Sequence, residues 1–158
     1  MGYHMRRQDR ALDDDAITAI LKKGKYIVLS LCRDNEPYIV TLSYGFDSVH
    51  NCLYLHSAND GLKLDFISAN RAVCGTVIID SGYVDGECGH QYETVVVRGQ
   101  IHVADTLDEK RSGVDVILNH LEMNPLTIAQ KALKNDGAYR GITVLRLDIL
   151  EMTGKKGR

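Results

Sequence analysis

The segment from His56 to Lys63, which reads HSANDGLK, holds the densest group of residues that could do chemistry. Small polar residues end a predicted strand here, a helix begins, and Lys63 falls in the first turn of that helix. The N–H groups and the positive dipole end at a helix start attract an anion, whereas a lysine there opposes the dipole unless a negative group lies beside it. The segment therefore predicts either a phosphate site that includes Lys63 or a capped helix with a solvated lysine.

Histidine and cysteine supply the other reactive side chains. A histidine titrates near neutral pH, so His56 could donate a proton to a substrate, or it could simply hydrogen-bond the backbone or a phosphate at its strand end. The Cys88–His90 and His50–Cys52 spacings do not fit a zinc finger or ribbon, and we predict no metal site. The cysteines are predicted to be reduced thiols, with Cys74 as a small buried hydrophobe.

The elements that position these residues are mostly strands, recognised as short apolar runs rich in β-forming residues. They are predicted at Tyr26–Cys32, Tyr38–Phe46, Cys52–Ser57, Ala72–Ile79, Gln91–Ala104 and Gly141–Met152. Polar turns at 34–37 and 47–51 join the first three strands into an antiparallel meander. The stretch 80–89, which contains three glycines, predicts a loop.

Helices are predicted between and beside these strands. Asp13 opens one that stops before Gly24, Asp60 caps one over 61–69, Thr106 and Glu109 form a capping box, and a further helical piece covers 126–133. Six strands with helices inserted at the edges predict a mainly β fold, an antiparallel barrel with peripheral helices. We expect one domain spanning residues 1–158.

Composition limits the classes of partner. The chain has 158 residues, of which 25% are charged, and its net charge is -2, so no basic field attracts nucleic acid or an anionic membrane. No apolar run approaches the roughly 20 residues of a spanning helix, and the first residues go straight into charge. We expect a cytoplasmic protein that binds neither nucleic acid nor membrane.

Two stretches, PYIVTLSYGFD at 37–47 and LYLHSANDGLKLDFI at 53–67, resemble the flavin-binding split barrel of the pyridoxamine 5′-phosphate oxidase superfamily, most of all its nitroimidazole-resistance (Nim-like) branch. MRRQDRAL, NRAVCGTV, YETVVVRGQI and TGKKGR fit the same pattern in the same order. The resemblance implies a six-stranded antiparallel split β-barrel. It also implies a homodimer that binds FMN at the subunit interface.

The resemblance further implies roles for individual residues. The strand after Pro37 would lay its backbone along the flavin ring, and the end of the next strand would meet the cofactor chain and phosphate. Lys63 would bind the phosphate, and a polar residue of the long fifth strand would reach the flavin. The implied cofactor-binding residues are Val40, Thr41, Leu42, Ser43, Tyr44, His56, Ser57, Lys63 and Thr94.

The chain departs from the pattern at two cationic positions. Val40 and Leu62 stand where the oxidases proper carry arginine. Weaker FMN binding could follow, or another group such as Arg71 or the second subunit could compensate. The residues with which those oxidases hold pyridoxal phosphate find no match near the C-terminus, so vitamin B6 oxidation is not expected.

The resemblance implies an FMN-dependent oxidoreductase that reduces a small organic molecule, with a nitroaromatic such as a nitroimidazole as the expected substrate class. NAD(P)H or a partner reductase would supply electrons, and His56 would be the catalytic proton donor. Because a flavin carries the hydride chemistry itself, the absence of a catalytic triad is compatible with an enzyme. The alternative is a non-catalytic flavin- or haem-binding module, in which His56 could ligate haem; a deazaflavin could also replace FMN.

Overall fold

The computed structural model describes residues 5–157, which form a closed antiparallel sheet of seven strands. The strands are β1 Ala11–Leu12, β2 Tyr26–Arg33, β3 Glu36–Asp47, β4 Cys52–Ser57, β5 Ala72–Val84, β6 Gly89–Val103 and β7 Thr143–Lys156. Their order is β1-β7-β4-β3-β2-β5-β6, and pairing between β6 and β7 closes the ring. The predicted mainly β, antiparallel barrel is confirmed, and the two-residue β1 adds to the six predicted strands.

Within residues 5–157, five α-helices flank the barrel. They are α1 Asp14–Lys23, α2 Leu62–Ala69, α3 Leu107–Leu121, α4 Pro125–Ala132 and α5 Asp136–Arg140. The predicted Thr106 cap of α3 is confirmed, because its hydroxyl accepts a hydrogen bond from the N–H group of Glu109. At the predicted start of α1, the Asp13 side chain accepts from the N–H group of Ala16. The predicted Asp60 cap of α2 is wrong. Gly61 is the N-cap residue instead, and no side chain hydrogen-bonds to this helix start.

The predicted loop at 80–89 is also wrong over most of its length. Strand β5 continues to Val84 and β6 starts at Gly89, so the two strands form a hairpin that extends past the expected strand ends. The register shifts between Asp80 and Gly82, and Gly82 has φ +97°, a backbone conformation that favours glycine. The glycines here therefore permit a β-bulge and a tight turn.

The barrel interior is the main core, and α1 and α2 close its opposite ends. Leu21 of α1 and Phe66 of α2 are both fully buried in the same apolar cluster as the strand side chains. Helix α1 leads directly into the start of β2. The end of α2 lies at the other end of β2. There the side-chain amide of Asn70 donates a hydrogen bond of 3.1 Å to the Cys32 carbonyl.

Helix α3 covers part of the outside of the barrel at very close range. A Cβ atom on Gly45 would lie 2.6 Å from the Cα atom of Ile117, so this strand–helix contact requires glycine. A second apolar cluster fills the space beneath α3. Its buried members are Cys52, Tyr54, Ala104, Val114, Ile117 and Val144.

The rest of the outside is a continuous surface that crosses β3, β2, β5, β6 and β7, which we call the open face. Cross-strand pairing defines two of its rows. One row is Thr41, Val28, Thr76, Val96 and Thr153, and the other is Ile39, Ser30, Cys74, Arg98 and Glu151. Large apolar side chains are exposed here, including Ile39 at 64%. Cys74 was predicted to be buried, but it is only half-buried because it belongs to this outward row.

Candidate functional site

The five predicted ligand-binding residues of β3 alternate between the two sides of the barrel wall. Val40 and Leu42 pack against the barrel core, whereas Thr41 and Ser43 are exposed on the outside. This is the expected period-two alternation of a strand. The surface that β3 offers to a ligand therefore consists of its backbone and the hydroxyl side chains of Thr41 and Ser43.

Tyr44 belongs to the core. Its side chain is 0% exposed, and its hydroxyl donates a hydrogen bond of 2.6 Å to the carbonyl oxygen of Leu21 at the end of α1. Its ring contacts that of His120, with 4.9 Å between the centroids, and burial raises the pKa of the phenol well above its usual range. The same alternation that turns Leu42 inward turns Tyr44 inward, which is the sequence signal for this placement.

His56 and Ser43 lie at the point where β3 and β4 separate. The last residue pair between these strands is Tyr44 with Leu55, and Ser43 and His56 follow directly on either strand. Both are exposed on the outside of the barrel, and within residues 5–157 the His56 ring has no hydrogen-bond or ion-pair partner. The structure thus brings these two predicted site residues together.

The Ser57 side chain is directed away from Ser43 and His56. Its side chain is 7% exposed, and its hydroxyl donates to the carbonyl of Ala58 at 2.9 Å. It therefore helps to shape the chain at the end of β4, where β4 leads into the segment 58–61 before α2. We call residues 58–61 the anion loop.

Lys63 lies at the start of α2, as predicted, and its ammonium group turns back towards the anion loop. The Nζ atom is 3.8 Å from the position that a Cβ atom on Gly61 would occupy, and Gly61 has φ +120°. Lys63 is half-buried, and the described part of the chain gives its ammonium no hydrogen-bond or ion-pair partner. A cation without a protein partner beside uncapped helix N–H groups fits a phosphate.

Asn59 fixes the anion loop, and sequence reasoning missed it. Its Oδ1 atom accepts a 2.9 Å hydrogen bond from the Thr143 hydroxyl, and its Nδ2 atom donates to the Arg140 carbonyl at 3.2 Å. No local pattern signals this role, because the partners are more than 80 residues away along the chain. The loop is therefore held to the end of α5 and the start of β7.

Thr94 lies far from the β3 residues within one chain. It belongs to the open face, opposite Ile78 and Lys155, and its hydroxyl donates to the Lys155 carbonyl at 3.4 Å. The strand order β3-β2-β5-β6 puts three interstrand spacings, about 14 Å in all, between β3 and β6. One chain alone therefore does not bring Thr94 next to Thr41 and Ser43.

The cysteine–histidine pairs have other contacts. His90 hydrogen-bonds Asp80 and His50 hydrogen-bonds Asp47, each at 2.7 Å. Burial raises the pKa of the Cys52 thiol to about 11. Residues 5–157 contain no group of three or more His, Cys, Asp or Glu side chains that could hold a metal ion. Over the same residues, no helix is long and apolar enough to cross a bilayer.

Comparison with known proteins identifies relatives over nearly the whole chain. The model of the family described as pyridoxamine 5′-phosphate oxidase matches residues 13–156. No curated protein matches the sequence. Among solved structures, a candidate 5-nitroimidazole antibiotic resistance protein from Bacteroides thetaiotaomicron superposes with a TM-score of 0.79 at 23% identity, covering 99% of this chain and 96% of that one.

Two further structures share the fold at low identity. A flavocytochrome from Azotobacter vinelandii superposes with a TM-score of 0.78 at 15% identity, covering 98% of this chain and 72% of its own. An FAD-binding protein from Mesorhizobium loti does so with a TM-score of 0.65 at 22% identity, covering 93% and 96%. The split-barrel fold that the sequence resemblance implies is confirmed by these structures.

Proposed function

Because the chain belongs to the pyridoxamine 5′-phosphate oxidase family, we propose that it binds FMN and reduces a small organic substrate. The observation that carries the proposal is the ammonium of the half-buried residue Lys63, which turns back to the start of α2, where no side-chain cap occurs among the described residues. A lysine and the N-terminal N–H groups of a helix together suit the phosphate of a phosphorylated cofactor.

The outer surface of β3 and the end of β4 would hold the rest of the cofactor. Thr41 and Ser43 present hydroxyl groups there, and the exposed His56 ring lies where the two strands part. A bound flavin supplies the hydride chemistry. The chain would orient it along β3, and His56 would deliver a proton to the reduced substrate.

A second copy of this chain would complete the site. The open face exposes Tyr26 and Ile39 at 47% and 64%, and within one chain β2 and β5 separate the strand of Thr94 from β3. Two chains that pair through their open faces would cover these apolar side chains and could bring Thr94 of one chain to the β3 strand of the other. We propose a homodimer on this basis, and light scattering of the purified protein tests it.

We further propose that the substrate is a nitroaromatic compound. This proposal is supported by the similarity to the candidate nitroimidazole resistance protein, and NAD(P)H would be the electron donor. The alternative is a flavin- or haem-binding module without turnover. It is favoured by the similarity to a flavocytochrome and by an exposed His56 that could ligate a haem iron.

An absorption spectrum followed by an anaerobic reaction separates these functions. FMN bound through desalting, bleached by NAD(P)H and recoloured by a nitroimidazole would support the enzyme. A flavin that recolours only with oxygen would contradict it and favour a carrier, and a sharp Soret band would point to haem. His56→Ala should keep FMN bound and lose turnover, and an active His56→Ala protein would exclude the proton-donor role.

A further inference from the structure

The helix start proposed to hold the phosphate carries more acidic than basic side chains. Between residues 57 and 65, Lys63 is the one basic residue, whereas Asp60 and Asp65 are both acids and both exposed. A phosphate monoester carries between one and two negative charges at neutral pH. One lysine beside two carboxylates does not balance such a group, so the phosphate needs a further cation.

The backbone of Arg140 is held beside the anion loop, at the end of α5. Asn59 donates to the Arg140 carbonyl at 3.2 Å and accepts from Thr143 at 2.9 Å, which fixes the end of α5 to the loop. The Arg140 side chain is exposed, and among residues 5–157 its guanidinium has no hydrogen-bond or ion-pair partner. A guanidinium can contact a phosphate through two parallel hydrogen bonds.

We infer that Arg140 supplies the second positive charge for the phosphate of FMN and that Asn59 is the positioning residue that holds the loop to it. This assignment rests on the proposed function.

Two nearby cations are placed less well for this role. Arg71 follows the opposite end of α2, and the eight residues of that helix span about 12 Å at 1.5 Å per residue. It lines a separate cleft with Ser68 and His102. The Lys110 ammonium donates to the Ile142 carbonyl at 3.0 Å and so already has a partner.

Flavin titrations with and without the phosphate test the assignment. FMN and riboflavin share the ring system, and riboflavin lacks the phosphate. Arg140→Ala should raise the Kd for FMN about tenfold or more and leave the Kd for riboflavin unchanged. Arg140→Lys should recover part of the loss. Asn59→Ala should weaken FMN but not riboflavin, and Arg71→Ala, the matched control, should bind both as the wild type does.

The outcomes separate this inference from the proposed function. If Arg140→Ala binds FMN as the wild type does while Lys63→Ala loses affinity, the inference is wrong and FMN binding stands. Equal losses for FMN and riboflavin, or an Arg71→Ala loss as large as that of Arg140→Ala, would also overturn it. A wild-type chain that binds neither flavin would overturn the proposed function and the inference together. Thermal unfolding of each variant shows whether it is folded.

Discussion

Replacing Tyr44 with phenylalanine distinguishes a core residue from a ligand-binding one. The resemblance to flavin-binding barrels places Tyr44 at the end of the flavin, whereas the structure buries its side chain and bonds its hydroxyl to the Leu21 carbonyl. That carbonyl lies in the last turn of α1, where the helix no longer supplies N–H donors. Tyr44→Phe removes the donor and keeps the ring against His120.

The expected loss of stability follows from the Leu21 carbonyl, which Tyr44→Phe leaves without a hydrogen bond. Leaving a buried acceptor without its hydrogen bond costs about 1–3 kcal/mol of unfolding free energy. For a chain of this length each kcal/mol lowers Tm by about 2–4 °C, so the Tyr44→Phe protein should melt roughly 4–8 °C below the wild type if the loss is about 2 kcal/mol. Its affinity for FMN should not change, because the hydroxyl faces α1.

Urea denaturation and FMN titration of the same samples check both parts. Tyr83→Phe is the matched control, since the Tyr83 side chain is 61% exposed and its hydroxyl has no hydrogen-bond partner in the described part of the chain. It should stay within about 0.5 kcal/mol of the wild type. A Tyr44→Phe protein of wild-type stability that binds FMN less tightly would refute the core assignment and return Tyr44 to the cofactor site.

Three further perturbations have defined outcomes. Lys63→Ala should weaken FMN by about 1.5–3 kcal/mol in a titration, and unchanged affinity would remove Lys63 from the site. Gly45→Ala puts a Cβ atom 2.6 Å from the Ile117 backbone, so urea denaturation should show that the free energy of unfolding falls by about 2–3 kcal/mol. The control is Gly141→Ala, whose Cβ atom would lie 3.4 Å from its nearest neighbour and should leave that free energy nearly unchanged. Equal stability of the two variants would contradict the close contact between β3 and α3. Burial lowers the pKa of the folded His120 imidazole below its usual 6.5. As pH falls through 6.5, the unfolded chain therefore binds a proton that the folded chain does not, and the folded state loses stability. Tm between about pH 8 and pH 5 should fall more steeply for the wild type than for His120→Gln, and parallel curves would disprove this.

Local patterns predicted the elements but not the contacts between them. The caps of α1 and α3 depend on residues three positions apart, so Asp13 and Thr106 could be identified directly. Gly24 was expected just past α1, as a helix stop. Its φ of -62° needs no glycine, and the actual reason is packing, since a Cβ atom there would lie 2.4 Å from Val77. Such an approach cannot be read from sequence.

Short or irregular elements were missed for a related reason. Helix α5 has five residues, too few for a periodic pattern, although Asn135 caps it through the Ala138 N–H group. The glycines at 82 and 86 suggested a loop. A β-bulge at Gly82 lets β5 pair with β6 as far as Val84 and Gly89, and Gly86 lies in the short turn that remains.

The candidate site also combines residues that belong to local motifs with contacts that depend on the fold. Ser43, His56 and Lys63 belong to local motifs, so the sequence alone could mark them as candidates. The link from Asn59 to Arg140 depends on the closed ring of strands, which brings distant segments together and leaves no local trace. Thr94 was found from its motif, but its distance from β3 depends on strand order, which the motif does not contain.

Helix α2 and the anion loop are both anchored to the barrel by packing and hydrogen bonds. Phe66 fixes the middle of the helix in the core, Asn70 ties its end to β2, and Asn59 ties the loop before it to β7. These contacts restrain the loop before any ligand arrives, which reduces the conformational entropy lost on binding. A ligand that binds there only in the folded chain raises the stability of the entire barrel, so cofactor supply would set how long the chain survives in the cell as well as its activity.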